Sequence, residues 1–167
     1  MTGAGDRRRP GRPKYTRELP RTRQVEMAKE CERRGKAVEA EEIAGLQQGM
    51  ADFRHGLYFE AHDAWEEVWR DLSGRRRVFW QAMIQLAVGT HHWNNGNRRG
   101  CQSVWNKALN KCDALGQQYP AEVPAPLLYL MAVLYDCLVA LEEEKDPLPL
   151  ITDFATATLS DQWANFA

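Results

Sequence analysis

Apolar residues recur three and four positions apart along most of this chain, the spacing at which side chains share one face of an α-helix. Ile43, Leu46, Met50 and Phe53 form such a row within a helix expected from about Ala37 to His55. A charged helical stretch, Arg21 to about Arg34, precedes it, with Gly35 as the expected break. Gly56 turns the chain, and the next helix is expected from Tyr58 to about Asp71. Its rows, Phe59, His62, Glu66 and Trp69 beside Tyr58, Ala61, Trp65, Val68 and Leu72, make one wide apolar stripe that should be buried. Asp63, Glu67 and Arg70 then face water. From about Arg75 to Asn94 the apolar residues leave hardly any polar side, which is the pattern of a helix buried all round. The turn at Asn94-Asn95-Gly96-Asn97 leads into a helix from Arg98 to about Gln117, with Cys101, Val104, Trp105, Ala108, Cys112 and Leu115 inward. The last long helix runs from Ala125 to about Glu144 and is stopped by Asp146-Pro147-Leu148-Pro149. Phe154, Trp163 and Phe166 should dock the remaining tail.

The pattern repeats at an offset of forty. Leu46, Gly49, Phe53, Gly56, Ala61, Trp65 and Val68 align with Leu86, Gly89, Trp93, Gly96, Cys101, Trp105 and Ala108. Each copy reads as helix, glycine turn, helix, which is an αα-hairpin. The spacing of Gly89, His92, Cys101, Trp105 and Ala108 weakly resembles one tetratricopeptide hairpin, but a solenoid needs about three such units. The fold class expected is therefore all-α, a compact bundle of two hairpins closed by a fifth long helix.

Charge divides the chain. Residues 1–24 carry eight Lys/Arg against Asp6 and Glu18, a balance of +6, while the remainder sums to -7. The domain reading is a disordered basic arm over 1–20, a helical extension over 21–36, the bundle over 37–146 and a docking tail over 147–167. Within the arm, Arg7-Arg8-Arg9-Pro10-Gly11-Arg12-Pro13-Lys14 resembles the Gly-Arg-Pro core of an AT-hook. Arg9, Arg12 and Lys14 are its candidate DNA contacts, since a narrow A·T minor groove attracts arginine. The commoner role of a short cationic arm is nonspecific. Hydrophobic content of 44% and six Trp suffice for a core. No apolar run of 18 residues and no signal peptide are read from the chain, so neither membrane spanning nor secretion is expected. Cys31, Cys101, Cys112 and Cys137 have no Cys-x-x-Cys spacing, which points to core thiols in a reducing cytoplasm rather than a zinc ribbon.

The candidate chemistry lies inside the stripe. His62 and Glu66 stand at i and i+4, where they can touch, and Gln81, Gln85 and His92 form a polar row on the most apolar helix. His62, Glu66, Gln85 and His92 are thus a candidate polar cluster. If the hairpins pack face to face, His62, Glu66 and His92 could offer two nitrogens and an oxygen to a divalent metal, with water in an open position. His91 is expected at the surface. The bland alternative is a satisfied polar network that fixes how the hairpins dock.

Phe53-x-x-Gly56-x-Tyr58-Phe59-Glu60-Ala61-His62-Asp63-x-Trp65-Glu66-x-x-Trp69 resembles the signature of the family called domain of unknown function 309. A second block, Gln81, Ile84, Gln85, Leu86, Ala87, His92, Gly96-Asn97-x-x-Gly100 and Ala108-Leu109, resembles it too, so the likeness covers roughly residues 46–118. Asp63 stands where that family usually has Glu, and Cys101 where it has Ala. The Gly and Asp that often follow the fourth helix are missing from residues 119–126. The resemblance implies an all-helical bundle built on the His-x-x-x-Glu-x-x-Trp helix and implies no reaction. Three functions are weighed. The first is a non-enzymatic module that takes a peptide or helix between its hairpins, with a homo-oligomer among the partners considered. The second is a metal-assisted or acid–base hydrolase with His62 and Glu66 as catalytic candidates. The third is a DNA-associated protein tethered by its arm. The absence of a recognised catalytic motif favours the first.

Overall fold

A glycine and a tryptophan, met twice at the same spacing, set how the helices pack. The computed structural model describes residues 21–166 in six helices: α1 (Arg21–Arg54), α2 (Tyr58–Trp69), α3 (Gly74–Asn94), α4 (Arg98–Gly116), α5 (Ala125–Glu142) and α6 (Leu148–Asp153). A π-helical turn and a short 3₁₀ turn follow, and no strand occurs among the described residues. In each hairpin the second helix lays its indole across the glycine of the first. Trp65 Nε1 donates to Leu46 O at 2.9 Å, and Trp105 Nε1 donates to Leu86 O at 3.1 Å. A methyl group on Gly49 would sit 2.3 Å from the Trp65 indole, and one on Gly89 would sit 2.2 Å from that of Trp105. The hairpin turns match as well. Gly56 and Gly96 have φ of 75° and 74°, and the amides of Leu57 and Asn97 close back onto Asp52 O and His92 O. This left-handed helix end is the conformation glycine supplies at least cost.

α3 packs against α2 and α4, α4 against α5, and α5 against α6. Phe79, Trp80, Ala82, Met83, Leu86 and Ala87 on α3 are wholly buried, as its all-round apolar pattern requires. The C-terminal segment completes the core. Phe154 lies edge-on to Phe53 and Trp163, and Phe166 packs edge-on against Phe79 at 4.6 Å. Arg54 fastens it by donating to Asp161 Oδ1 and Leu159 O, both at 2.9 Å.

Two expectations change. Gly35 does not break the helix, and α1 runs unbroken from Arg21 to Arg54. Glycine costs only about 1 kcal/mol in a helix interior, and Glu30–Arg33, Glu30–Arg34 and Glu32–Lys36 pairs at 2.9–3.1 Å flank it. The residues up to Ala37 and those from Val38 form separate compact units. Ala125–Glu142 is in fact long and apolar enough, by length and composition, to cross a membrane, with mean hydropathy 1.7. In the bundle 44% of that stretch is buried, against α4 and α6. The basic arm with Arg9, Arg12 and Lys14 lies outside the described residues.

Cys101, Cys112 and Cys137 are buried and unpaired, while Cys31 is exposed. Burial pushes each of the three core thiols up from 9.0 to about 12. In the unfolded chain they ionise near 9, so their contribution to stability is complete below that pH and declines as pH rises from about 9 to about 12. A thiol reagent at neutral pH is expected to label Cys31 alone in the native protein and all four cysteines in denaturant. Labelling of more than one thiol before unfolding would contradict the buried placement.

Candidate functional site

α2 presents its chemistry at the rim of the bundle. Tyr58, Ala61 and Trp65 form its buried row, whereas the neighbouring row is partly wet. Phe59 is 49% exposed, and the side chains of His62 and Glu66 are 21% and 43% exposed. The stripe is therefore narrower than its sequence implies. A twelve-residue helix contacting α1 on one side and α3 on another leaves its flank open, and that flank holds the His62–Glu66 pair.

His62 Nε2 stands 3.6 Å from Glu66 Oε2, as the i, i+4 spacing requires. Asp63 is exposed, as expected, yet its Oδ1 comes within 3.1 Å of His62 Nδ1. That approach is off the line of the ring N–H, so Nδ1 is buried without a hydrogen-bond partner. Proximity here is not a hydrogen bond. One ligand atom from each of His62, Asp63 and Glu66 falls within 4.8 Å of the others. The chemistry of this set, one imidazole and two carboxylates, suits a borderline or hard divalent cation.

His92 is not in that set. Its Nδ1 meets the Asn97 side-chain amide at 3.3 Å in the α3–α4 turn. The nearer histidine is His91, which was expected to point elsewhere. Its ring lies 5.3 Å from that of Phe59, and Phe59 lies 5.8 Å from His62. The reason is geometric. Ile84 and His91 share one helical row, and Gln85 and His92 share the next. Crossed helices need not touch along a single row, and Phe59 meets the row of His91 rather than that of His92. A row assignment from sequence contains no crossing angle.

Gln85 stays with Glu66. Together with Trp69, Gln81 and Ile84 they line a cleft of about 150 Å³ between the hairpins. Lys111 of α4 donates to Gln85 Oε1 at 3.3 Å, a partner the sequence did not single out because the contact joins two helices. Below the cleft, Arg77 closes the end of α2. Its guanidinium lies 3.8 Å from the Trp69 ring and donates to Trp69 O, Arg70 O and Leu72 O, each at 3.1 Å. The terminal carbonyls of a helix need such partners.

A second feature lies on the other side of α2. There α1 and α2 flank an open groove of about 350 Å³. Gly45, Ala64 and Val68 make its apolar floor beside the exposed Val38, and Glu41, Glu42, Glu67 and Asp71 line it around them. Glu42 pairs with Arg76 at 3.9 Å. Among the described residues, Glu41, Glu67 and Asp71 have no basic partner. Gly45 lets Val68 of α2 pack close against α1, since a Cβ there would meet Val68 Cγ2 at 2.5 Å. Sequence reasoning placed Glu67 toward water and missed the groove, which needs both helices to be seen.

Among curated proteins and among solved structures, none matches the chain. A family model does match it, over the end of α1, all of α2 and α3 and the start of α4, taking in His62, Glu66, Gln85 and His92 while leaving Lys111 and half of the acidic groove outside. Residues 46–104 match the model of a domain of unknown function (DUF309), in agreement with the His-x-x-x-Glu-x-x-Trp resemblance.

Proposed function

We propose that this protein is a non-enzymatic helical interaction module whose α1–α2 groove docks a basic segment of a partner. The observation that carries this reading is the groove itself, with three carboxylates, Glu41, Glu67 and Asp71, that lack a basic partner among the described residues, around an apolar floor. Such a surface suits a segment that lays Lys or Arg stems on the floor and their charged heads on the walls. The cleft between the hairpins, at about 150 Å³, has less room for a peptide. A fluorescent peptide alternating Lys and Leu is a suitable probe for anisotropy. Exposed ion pairs contribute about 0.2–1 kcal/mol each, so the full chain bearing Glu41→Lys, Glu67→Lys and Asp71→Lys should bind the probe on the order of threefold to a hundredfold more weakly. Equal binding by that variant would reject the reading.

A second reading is favoured by one observation, the convergence of His62, Asp63 and Glu66 within 4.8 Å around an unpartnered ring nitrogen. It is a divalent-metal site on the rim of α2, with positions open to water. Metal analysis of tag-free protein should find one equivalent that His62→Ala loses while the helical circular dichroism spectrum is unchanged. Metal-free protein after dialysis against Mn²⁺ or Zn²⁺ would rule the site out.

A further inference from the structure

We propose that the segment docked in the α1–α2 groove is the arginine-rich N-terminal stretch of a second copy of this chain, and that the protein self-associates head to tail. This inference rests on the groove being a dock for basic segments and names the segment.

Charge complementarity is the first argument. Residues 1–24 carry +6 and the rest of the chain -7. Within the acidic part, Glu41, Glu67 and Asp71 are exposed and lack cationic partners among the described residues, whereas Glu42 already has Arg76. Arg7, Arg8, Arg9, Arg12, Lys14 and Arg17 supply six cations over eleven positions. Five are guanidinium groups, whose planar fork matches a carboxylate in two parallel hydrogen bonds.

Reach is the second. Along α1 the groove extends from Val38 to Gln48, about 15 Å at the helical rise of about 1.5 Å per residue. Residues 7–14, fully extended at about 3.3 Å each, span about 26 Å and so cover its whole length. Glu67 on α2 and Asp71 just past its end line one side, with Glu41 of α1 opposite. Successive arginines therefore meet carboxylates on both sides.

The two surfaces differ, so the contact is heterologous. Such contacts build rings or open chains rather than stopping at a symmetric pair, and association should rise with concentration and fall with salt.

Sedimentation velocity on the full chain tests this, at about 0.05 M and about 0.5 M salt. One variant reverses the groove (Glu41→Lys, Glu67→Lys, Asp71→Lys) and another reverses the segment (Arg8→Glu, Arg9→Glu, Arg12→Glu). Circular dichroism checks that both remain folded. Wild type should associate at low salt and dissociate at high salt, and each variant alone should stay monomeric. Mixing the two variants should restore association, because the reversed segment now fits the reversed groove. A wild type that is monomeric at every concentration, or variants that associate unchanged, overturns the proposal. So does a mixture that fails to recover. If wild type is monomeric but still binds the Lys-Leu probe, the groove reading stands and the self-docking inference falls; if it binds neither, both fall. Retention of a DNA duplex through the arginine segment by a monomeric wild type would assign that segment to nucleic acid instead.

Discussion

Trp65→Ala is expected to destabilise the protein by about 3–5 kcal/mol, the range for removing a fully buried large aromatic side chain. Trp65 is wholly buried between Phe53, at 5.7 Å, and Trp80, at 5.6 Å, so the hole would open at the junction of α1, α2 and α3. The loss includes the indole bond to Leu46 O, which clamps α2 to α1. For a domain of this size, about 2–4 °C of melting temperature follows each kcal/mol. The midpoint should therefore fall by about 6–20 °C. Thermal unfolding followed by circular dichroism measures it, and a fall of less than about 3 °C would mean that Trp65 is not the wedge described. Trp65→Phe keeps most of the ring and loses the hydrogen bond, and its smaller loss separates the two contributions.

Gly89→Ala should cost about 1–3 kcal/mol or more from a single methyl group. Alanine is the better helix former by about 1 kcal/mol, so propensity alone predicts the opposite sign. Collision decides it. The new methyl would lie 2.2 Å from Trp105 Nε1, and that indole is fully buried and bonded to Leu86 O, so it cannot swing away. The pair should therefore be strongly non-additive. In a Trp105→Ala background the same Gly89→Ala change should become neutral or stabilising, because the obstacle is gone. Urea denaturation of the four proteins of the cycle measures this. A coupling near zero would show that glycine is there for another reason.

Much of the fold was legible along the chain because it depends on local rules. Glycine turns at Gly56 and Gly96, the Gly49–Trp65 and Gly89–Trp105 pairs and the apolar rows are written at fixed spacings, and the helices form where those rows stand. The forty-residue repeat is real in three dimensions for the same reason, since each hairpin makes its close contact within itself. Only the C-terminal turns, with no clean periodicity, remained indefinite, although Phe154, Trp163 and Phe166 correctly marked them as packed.

The candidate site was legible in part. The His62–Glu66 pair is intrahelical, and helical pitch alone brings its members together. Contacts between helices that the repeat does not encode had to wait for the tertiary structure. The packing of α2 on α3 sets His91 beside Phe59 and leaves half of the α2 stripe at the rim, and that of α4 on α3 brings Lys111 to Gln85. The approach of α1 to α2 assembles Glu41, Glu67 and Asp71 around one floor. A sequence fixes which residues share a face because that follows from 3.6 residues per turn. Which faces meet, and at what angle, is decided by how side-chain ridges settle into grooves, an outcome that belongs to pairs of helices and is written on neither alone.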